Sequence, residues 1–112
     1  MTNAEIDPHT FDELQANAGA DFVAELVDTF GVEAPPLIAE MRNALAAGAA
    51  ERFRRAAHSL KSNSSTFGAT RLASMSRDVE LNGPVAASSD ALDALARELE
   101  TTLAALRTMA RT

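Results

Sequence analysis

The sequence predicts an all-α protein, and specifically an antiparallel up-down-up-down four-helix bundle with a short extra helix at its N-terminus. Three observations predict this class. Apolar residues recur at helical spacing along most of the 112 residues, and alternating runs of β-branched residues are missing. Glycine and proline interrupt the helical pattern so that short connections join four longer segments. Because a chain of this length buries about two thirds of its unfolded surface, we expect residues 1–112 to form a single domain.

The first part of the chain contains a short helix followed by a long one. Thr10 is a candidate N-cap of the short helix, and Gly19 ends it. Residues 21–47 carry apolar side chains at steps of three and four, and we interpret them as one long helix. We expect this helix to be kinked at its adjacent proline pair, since each proline removes a backbone hydrogen bond. Two helices divided near Gly31 are the alternative.

Three further helical segments follow. Gly48 marks a turn, and Gly68 is the expected stop of the next helix, because glycine adopts the left-handed conformation without a steric cost. Between them, residues 50–67 show an apolar seam formed by Phe53, Ala57, Leu60, Ser64 and Phe67. The third long segment ends at the Asn-Gly-Pro sequence of residues 82–84. The cap of the last helix is one of Ser88, Ser89 and Asp90.

Composition excludes several classes of protein. The chain has no cysteine, which excludes disulfide frameworks, thiolate metal sites and cysteine nucleophiles. With two histidines we expect no metal site, and the sequence has no glycine-rich loop for the phosphates of ATP. Apolar runs are too short to span a bilayer, and the N-terminal sequence lacks the basic and apolar regions of a signal peptide. We therefore expect a cytoplasmic protein that does not act at a membrane.

Charge is distributed unevenly along the chain. Residues 1–41 hold nine acidic and no basic side chains, whereas residues 42–77 hold seven basic and one acidic side chain. The net charge of −6 argues against nucleic-acid binding. The basic middle segment, residues 42–77, favours a local site for an anion or an acidic partner. An ordinary solvated surface is the alternative.

His58 is expected on the exposed side of the predicted helix of residues 50–67, the second of the four long helices. At about 100° per residue from Phe53, the apolar seam spans about −40° to +40°, whereas His58 falls at about 140°. A neutral imidazole is nucleophilic near pH 7, and nearby cations would hold a phosphoryl group of charge about −2. This pattern favours a phosphoryl carrier, and an exposed histidine without a function is the alternative. The same strip carries Arg54, Arg55, Lys61, Ser62 and Ser65.

Two other interpretations of the histidines have less support. The hydroxyl side chains after His58 could belong to a hydrolytic triad, but no carboxylate lies on the same strip to orient the imidazole. We therefore expect no triad. His9 follows Pro8 in an acidic segment, and we interpret it as a loop residue.

Residues 58–69 resemble the signature of histidine-containing phosphotransfer (HPt) domains, in which His-x-Leu-Lys-Gly is followed by Gly-Ala. Here the sequence reads His-Ser-Leu-Lys-Ser and then Gly-Ala, and the resemblance extends from the proline-interrupted helix to Leu72 and Glu80. It implies that His58 is the phospho-acceptor and that Lys61 is the cation beside the phosphoryl group. Ser62 stands where the family usually has glycine, so a small side chain is retained one turn after the histidine.

The resemblance also implies a function and partners. The chain is expected to be a phosphorelay intermediate that carries a phosphoryl group on His58 between aspartates of receiver domains, and not an enzyme with its own ATP or metal site. The partners would be receiver domains of response regulators and of a hybrid histidine kinase, which supply Mg²⁺, so no cofactor is expected on this chain. We expect a monomer, and Met1 with the full set of helices favours a free protein over a piece of a kinase. A non-transferring adaptor is the alternative. The residues expected to dock the partner are Arg54, Arg55, Ser62, Ser65 and Gly68.

Overall fold

The computed structural model describes residues 5–86 and 89–111, and within these ranges the fold is built from helices. The described residues contain no β-strand. Ile6 and Ala69 form an isolated antiparallel β-bridge. The all-α class predicted from the sequence is confirmed. The helices are α1 (Pro8–Ala18), α2 (Ala20–Ala47), α3 (Ala50–Thr66), α4 (Thr70–Ala86) and α5 (Ser89–Ala110).

Helix α1 begins earlier than the sequence predicted, because its N-cap is Asp7 and not Thr10. Asp7 Oδ1 accepts a hydrogen bond from the N–H of His9 at 3.1 Å, and the Thr10 hydroxyl donates to Asp7 Oδ2 at 2.8 Å. Pro8 occupies the first helical turn, where its missing N–H leaves no unpaired donor. His9 therefore lies in the first turn of α1, and its assignment to a loop was wrong.

Helix α2 is one helix, as predicted, and it continues through Pro35 and Pro36. Gly31, the alternative boundary, lies inside the helix, where a Cβ atom would overlap the guanidinium group of Arg107 on α5. The helix ends at Gly48, which has a φ angle of 68° and a left-handed conformation. The predicted turn at this glycine is confirmed.

The predicted break at residues 82–84 is also present. Gly83 has φ 74° and ψ 177°, which are not helical values, so α4 consists of two helical stretches joined at this residue. Helix α5 begins at Ser89, with Asp90 in its first turn. The candidate cap Ser88 lies outside the described residues.

The core lies among the four longer helices. Helix α2 packs against α3 and α5, α4 packs against the same two helices, and α1 packs against α2. The predicted seam of α3 is buried along its whole length, and the rings of Phe30 and Phe67 lie with their centroids 5.3 Å apart. Because this face of α3 is buried, the opposite face is presented to solvent. No helix in the described part of the chain is long and apolar enough to cross a membrane.

Candidate functional site

His58 lies on the exposed face of α3, as the helical spacing predicted. Its side chain is 57% exposed, whereas Ala57 and Leu60 on either side of it are fully buried. The burial of these two residues sets the rotation of the helix. The structure therefore places on the same exposed face Arg54, Arg55, Ser62 and Ser65.

A carboxylate from the neighbouring helix reaches the imidazole. Glu80 Oε2 on α4 lies 3.0 Å from Nδ1 of His58. The sequence-based expectation concerned carboxylates on the α3 strip alone, whereas the carboxylate that contacts the imidazole lies on α4. The signal that could have found this contact is the position of Glu80 directly after the buried Val79, at the edge of the apolar stripe of α4.

Lys61 is bound to the same carboxylate. Its Nζ atom lies 3.3 Å from Glu80 Oε1, and the two side chains are 29% and 20% exposed. Oε1 is buried and accepts no hydrogen bond within the described residues, so the contact with Lys61 is an ion pair without hydrogen-bond alignment. Burial raises the pKa of Glu80, but the contacts with His58 and then Lys61 outweigh it and hold the pKa below its usual value. Glu80 is therefore ionised at neutral pH.

Most cations of the basic middle segment are paired with carboxylates from other parts of the chain. The free positive surface is consequently smaller than the charge distribution suggested. Arg55 and Arg77 are exposed and form no ion pair among residues 5–86 and 89–111, but Arg55 still interacts electrostatically with Glu40 and Glu51. The pairs are Arg42–Asp93, Arg52–Glu40, Arg54–Glu51 and Arg71–Glu5.

Comparison with known proteins gives the same family as the sequence motif. The family model of the Hpt domain matches residues 25–108. This chain belongs to the Hpt domain family. It is similar to the crystal structure of histidine-containing phosphotransfer protein B (HptB) from Pseudomonas aeruginosa PAO1, with a TM-score of 0.74 and 26% identity over 98% of this chain and 94% of that chain. No curated protein matches the sequence significantly.

Membership in this family indicates the general function of the chain. Hpt domains are phosphocarrier intermediates of phosphorelay signalling, and they work with receiver domains and kinases. The matched range includes α3 and α4, so His58, Lys61 and Glu80 all lie within it.

Gly68 lies apart from the exposed face of α3 in this Hpt domain. It is buried and has a φ angle of 74°, and a Cβ atom there would lie 2.9 Å from Thr10 Cβ and 3.0 Å from the Asp7 carbonyl oxygen. The N–H of Asp7 donates to the Gly68 carbonyl at 2.8 Å. Gly68 thus allows the N-terminal segment to close against the turn between α3 and α4.

The remaining candidate groups of the Hpt domain are separate from His58. His9 Nε2 lies 3.7 Å from Glu13 Oε1, and both side chains are exposed on α1. The described residues contain no cluster of three or more side chains that could hold a metal ion.

Proposed function

We propose that His58 accepts a phosphoryl group from the aspartyl phosphate of one receiver domain and passes it to the aspartate of another. The observation that carries this proposal is the contact of Glu80 with Nδ1 on an otherwise exposed imidazole. A carboxylate accepts hydrogen bonds, so it favours the neutral tautomer with the proton on Nδ1. Nε2 then keeps its lone pair and is the nucleophilic atom.

The transfer is a substitution at phosphorus. The Nε2 lone pair forms a P–N bond while the bond between phosphorus and the carboxylate oxygen of the donor breaks, and the electron pair leaves with that carboxylate. Nδ1 keeps its proton, and the negative charge of Glu80 balances the positive charge of the phosphorylated ring. The reverse substitution delivers the group to the second aspartate. Neither direction requires ATP or a metal ion on this chain, so we propose a phosphocarrier that uses the Mg²⁺ of its partner.

Small side chains support close approach of the partner. Ser62 and Ser65 are exposed on the His58 face and lie one and two turns after the histidine. Reaction between two proteins requires the reacting atoms to come within about 3–3.5 Å, which bulky neighbours would prevent. Arg54 and Arg55 would attract an acidic receiver from the other side of His58.

The packing of the helices supports an antiparallel up-down-up-down arrangement of α2 to α5. Each of these four helices packs against two of the others, and short connections join sequential helices. We propose that residues 1–112 act as one monomeric domain, without binding to nucleic acid or membrane. The cytoplasmic location stays a prediction.

Incubation with a phosphorylated receiver domain tests the proposal. The chain should take up a label that is labile in acid and stable in base, as expected of a P–N bond. His58→Gln should abolish the label, while His9→Gln should retain it and serves as the matched control. A label that persists in His58→Gln would contradict the proposal. A receiver that binds without labelling the chain would instead support the adaptor.

A further inference from the structure

A groove that is open to solvent runs between α4 and α5. It has a volume of about 230 Å³, and residues of both helices line it. We propose that this groove is a docking site for a basic amphipathic helix of a second partner protein, which binds there without covering His58. The inference goes beyond the proposed phosphotransfer and does not depend on it.

Helical spacing explains the position and length of the groove. On α4, residues 71, 75, 78 and 82 lie at steps of four, three and four, so they share one face of the helix. Residues 91, 94, 95 and 98 form the facing side of α5. At one end, Arg71 pairs with Glu98 across the two helices at 4.0 Å. From this pair the groove extends over about three turns, roughly 16 Å, to Asn82.

Small side chains leave the apolar lining of the groove uncovered. Ala91 and Ala94 are too short to fill the space opposite α4. Leu81 adds to the apolar surface next to the groove, because it lies one residue before Asn82 and is 67% exposed. A continuous apolar surface of this kind is typical of an interaction site. The larger apolar side chains of the lining are Met75, Val79 and Leu95.

The charges at the rim of the groove determine the chemistry of the partner. Asp78 on α4 and Asp90 in the first turn of α5 are exposed, and neither forms an ion pair within residues 5–86 and 89–111. Arg71 is already ion-paired. Arg97 lies about 160° around α5 from Leu95, on the side away from the groove. Cations of a partner can therefore pair with both aspartates.

A helix is the element that fits between α4 and α5. A groove between two helices accepts a third helix that packs against both, and about three turns match its length. Apolar residues of the partner helix at steps of three and four would cover the lining, and its flanking lysines or arginines would pair with Asp78 and Asp90. The same aspartates would repel the acidic receiver proposed for the α3 face. The occupant is therefore a basic segment and not that receiver.

The groove and His58 lie on opposite sides of α4. Glu80 lies 3.0 Å from His58 on the side of α3. Asp78 and Asn82, two residues before and after Glu80, lie about 160° around α4 from it and line the groove with α5. A helix bound in the groove therefore leaves the imidazole exposed. This arrangement lets the chain hold one partner while His58 meets another.

Chemical-shift mapping with a model peptide tests the docking site. The peptide has about 18 residues, long enough to form a helix, with leucines at steps of three and four and lysines beside them. In ¹H–¹⁵N spectra it should shift the amides of residues 71–82 and 91–98. The same peptide with glutamate in place of lysine should bind on the order of tenfold more weakly. Shifts centred on α2 and α3, equal affinity of the two peptides, or no binding of the lysine peptide would overturn the proposal.

Substitutions at the groove test its location. Asp78→Lys should weaken binding of the lysine peptide on the order of tenfold, because an ion pair is replaced by a like-charge contact. Ala94→Gln should also weaken binding, because the longer side chain fills the groove. Asp12→Lys is the matched control, since Asp12 is exposed on α1 and the net charge changes equally. Circular dichroism verifies that each variant keeps its helices. Equal weakening by Asp12→Lys and Asp78→Lys would overturn the site, because attraction to net charge alone would then explain binding.

Two further measurements separate this site from the others. His58→Gln should bind the lysine peptide with parent-like affinity, and saturating peptide should leave label transfer from a receiver to the parent chain unchanged. A peptide that competes with the receiver would overturn the separate site. Light scattering tests a second copy as the occupant: a dimer that is lost in Asp78→Lys would overturn the assignment to a basic partner. Peptide binding is measured without phosphate, so its outcome is separate from that of the His58 labelling test.

Discussion

Glu80 on α4 lies 3.0 Å from Nδ1 of His58 on α3, so the nitrogen that faces a partner is set by a residue of another helix. The contact exists because α3 and α4 pack closely, with Leu60 of α3 and Leu72 of α4 fully buried. The chemistry of an exposed histidine is thereby coupled to the packing of the core. A change that displaces α4 along α3 would alter the nucleophile without touching it.

The first prediction concerns this contact. Glu80→Ala should slow phosphoryl uptake on the order of tenfold, because the imidazole loses the acceptor that holds its proton on Nδ1. Glu80→Gln should slow it less, since its amide oxygen can still accept that hydrogen bond. Rapid-quench measurement of label transfer gives the rates, and histidine ¹⁵N shifts report the tautomer. Parent-like kinetics in Glu80→Ala would show that the contact has no part in transfer.

The second prediction concerns Glu98 on α5, which the proposed mechanism does not use. Burial raises the pKa of Glu98, and the charge of Arg71, 4.0 Å away, offsets this only in part. Glu98 Oε2 is buried and accepts no hydrogen bond within the described residues. A carboxyl group with a raised pKa contributes stability that is fully present below its unfolded value of 4.5 and is lost as the pH rises through the folded value.

Glu98→Gln should therefore increase the free energy of unfolding at pH 7, and the gain should shrink as the pH falls toward 4. Urea unfolding of the variant and the parent at several pH values measures this difference. Glu100→Gln is the control, since Glu100 is exposed on the same helix. A gain that does not change with pH would contradict the assignment to this carboxyl group.

The third prediction compares two glycines with left-handed backbone. Gly48 has φ 68° and nothing within 4 Å of a Cβ position, whereas a Cβ at Gly68 would lie 2.9 Å from Thr10 Cβ. Gly48→Ala should cost about 1–2 kcal/mol of stability from backbone strain alone. Gly68→Ala should cost about 1–3 kcal/mol more, because the N-terminal segment must move away. Urea unfolding at pH 7 measures both, and equal losses would show that the segment does not lie tightly against Gly68.

Features set by local sequence were predicted well. The repeat of Phe53, Leu60 and Phe67 at helical spacing identified the buried face of α3, and the exposure of His58 followed from it. Gly48 and Gly68 adopt positive φ angles as expected, since a left-handed residue at a helix end is a local requirement.

Features set by packing between segments were not predicted from the sequence. The sequence motif included Glu80 but gave it no role, because its distance to His58 depends on how α4 is placed against α3. Asp7 and Thr10 are both good capping residues, and only the path of the chain shows that Asp7 is the cap. The pairing of Arg52 with Glu40 likewise joins two helices, and no sequence spacing reports it.

The fourth prediction concerns Ser62, which is exposed one turn after His58 and replaces the glycine of the family motif. The Thr66 hydroxyl donates to the Ser62 carbonyl at 3.1 Å, a backbone contact that any substitution at position 62 retains. Ser62→Gly should keep transfer and lower stability by about 0.5 kcal/mol, because glycine is the weaker helix former.

Ser62→Arg separates space from charge at the same position. If approach of the receiver is limited by space, the long side chain should slow transfer sharply, even though arginine forms helix well and adds a positive charge. Ser62→Gln, with similar bulk and no charge, should slow transfer to a similar extent. If attraction to an acidic partner were limiting instead, Ser62→Arg would be faster than Ser62→Gln and at least as fast as the parent. Rates measured with one phosphorylated receiver at two salt concentrations distinguish these cases, because added salt screens attraction but leaves steric exclusion unchanged. Parent-like transfer in Ser62→Arg at both salt concentrations would show that a small residue is not needed beside His58.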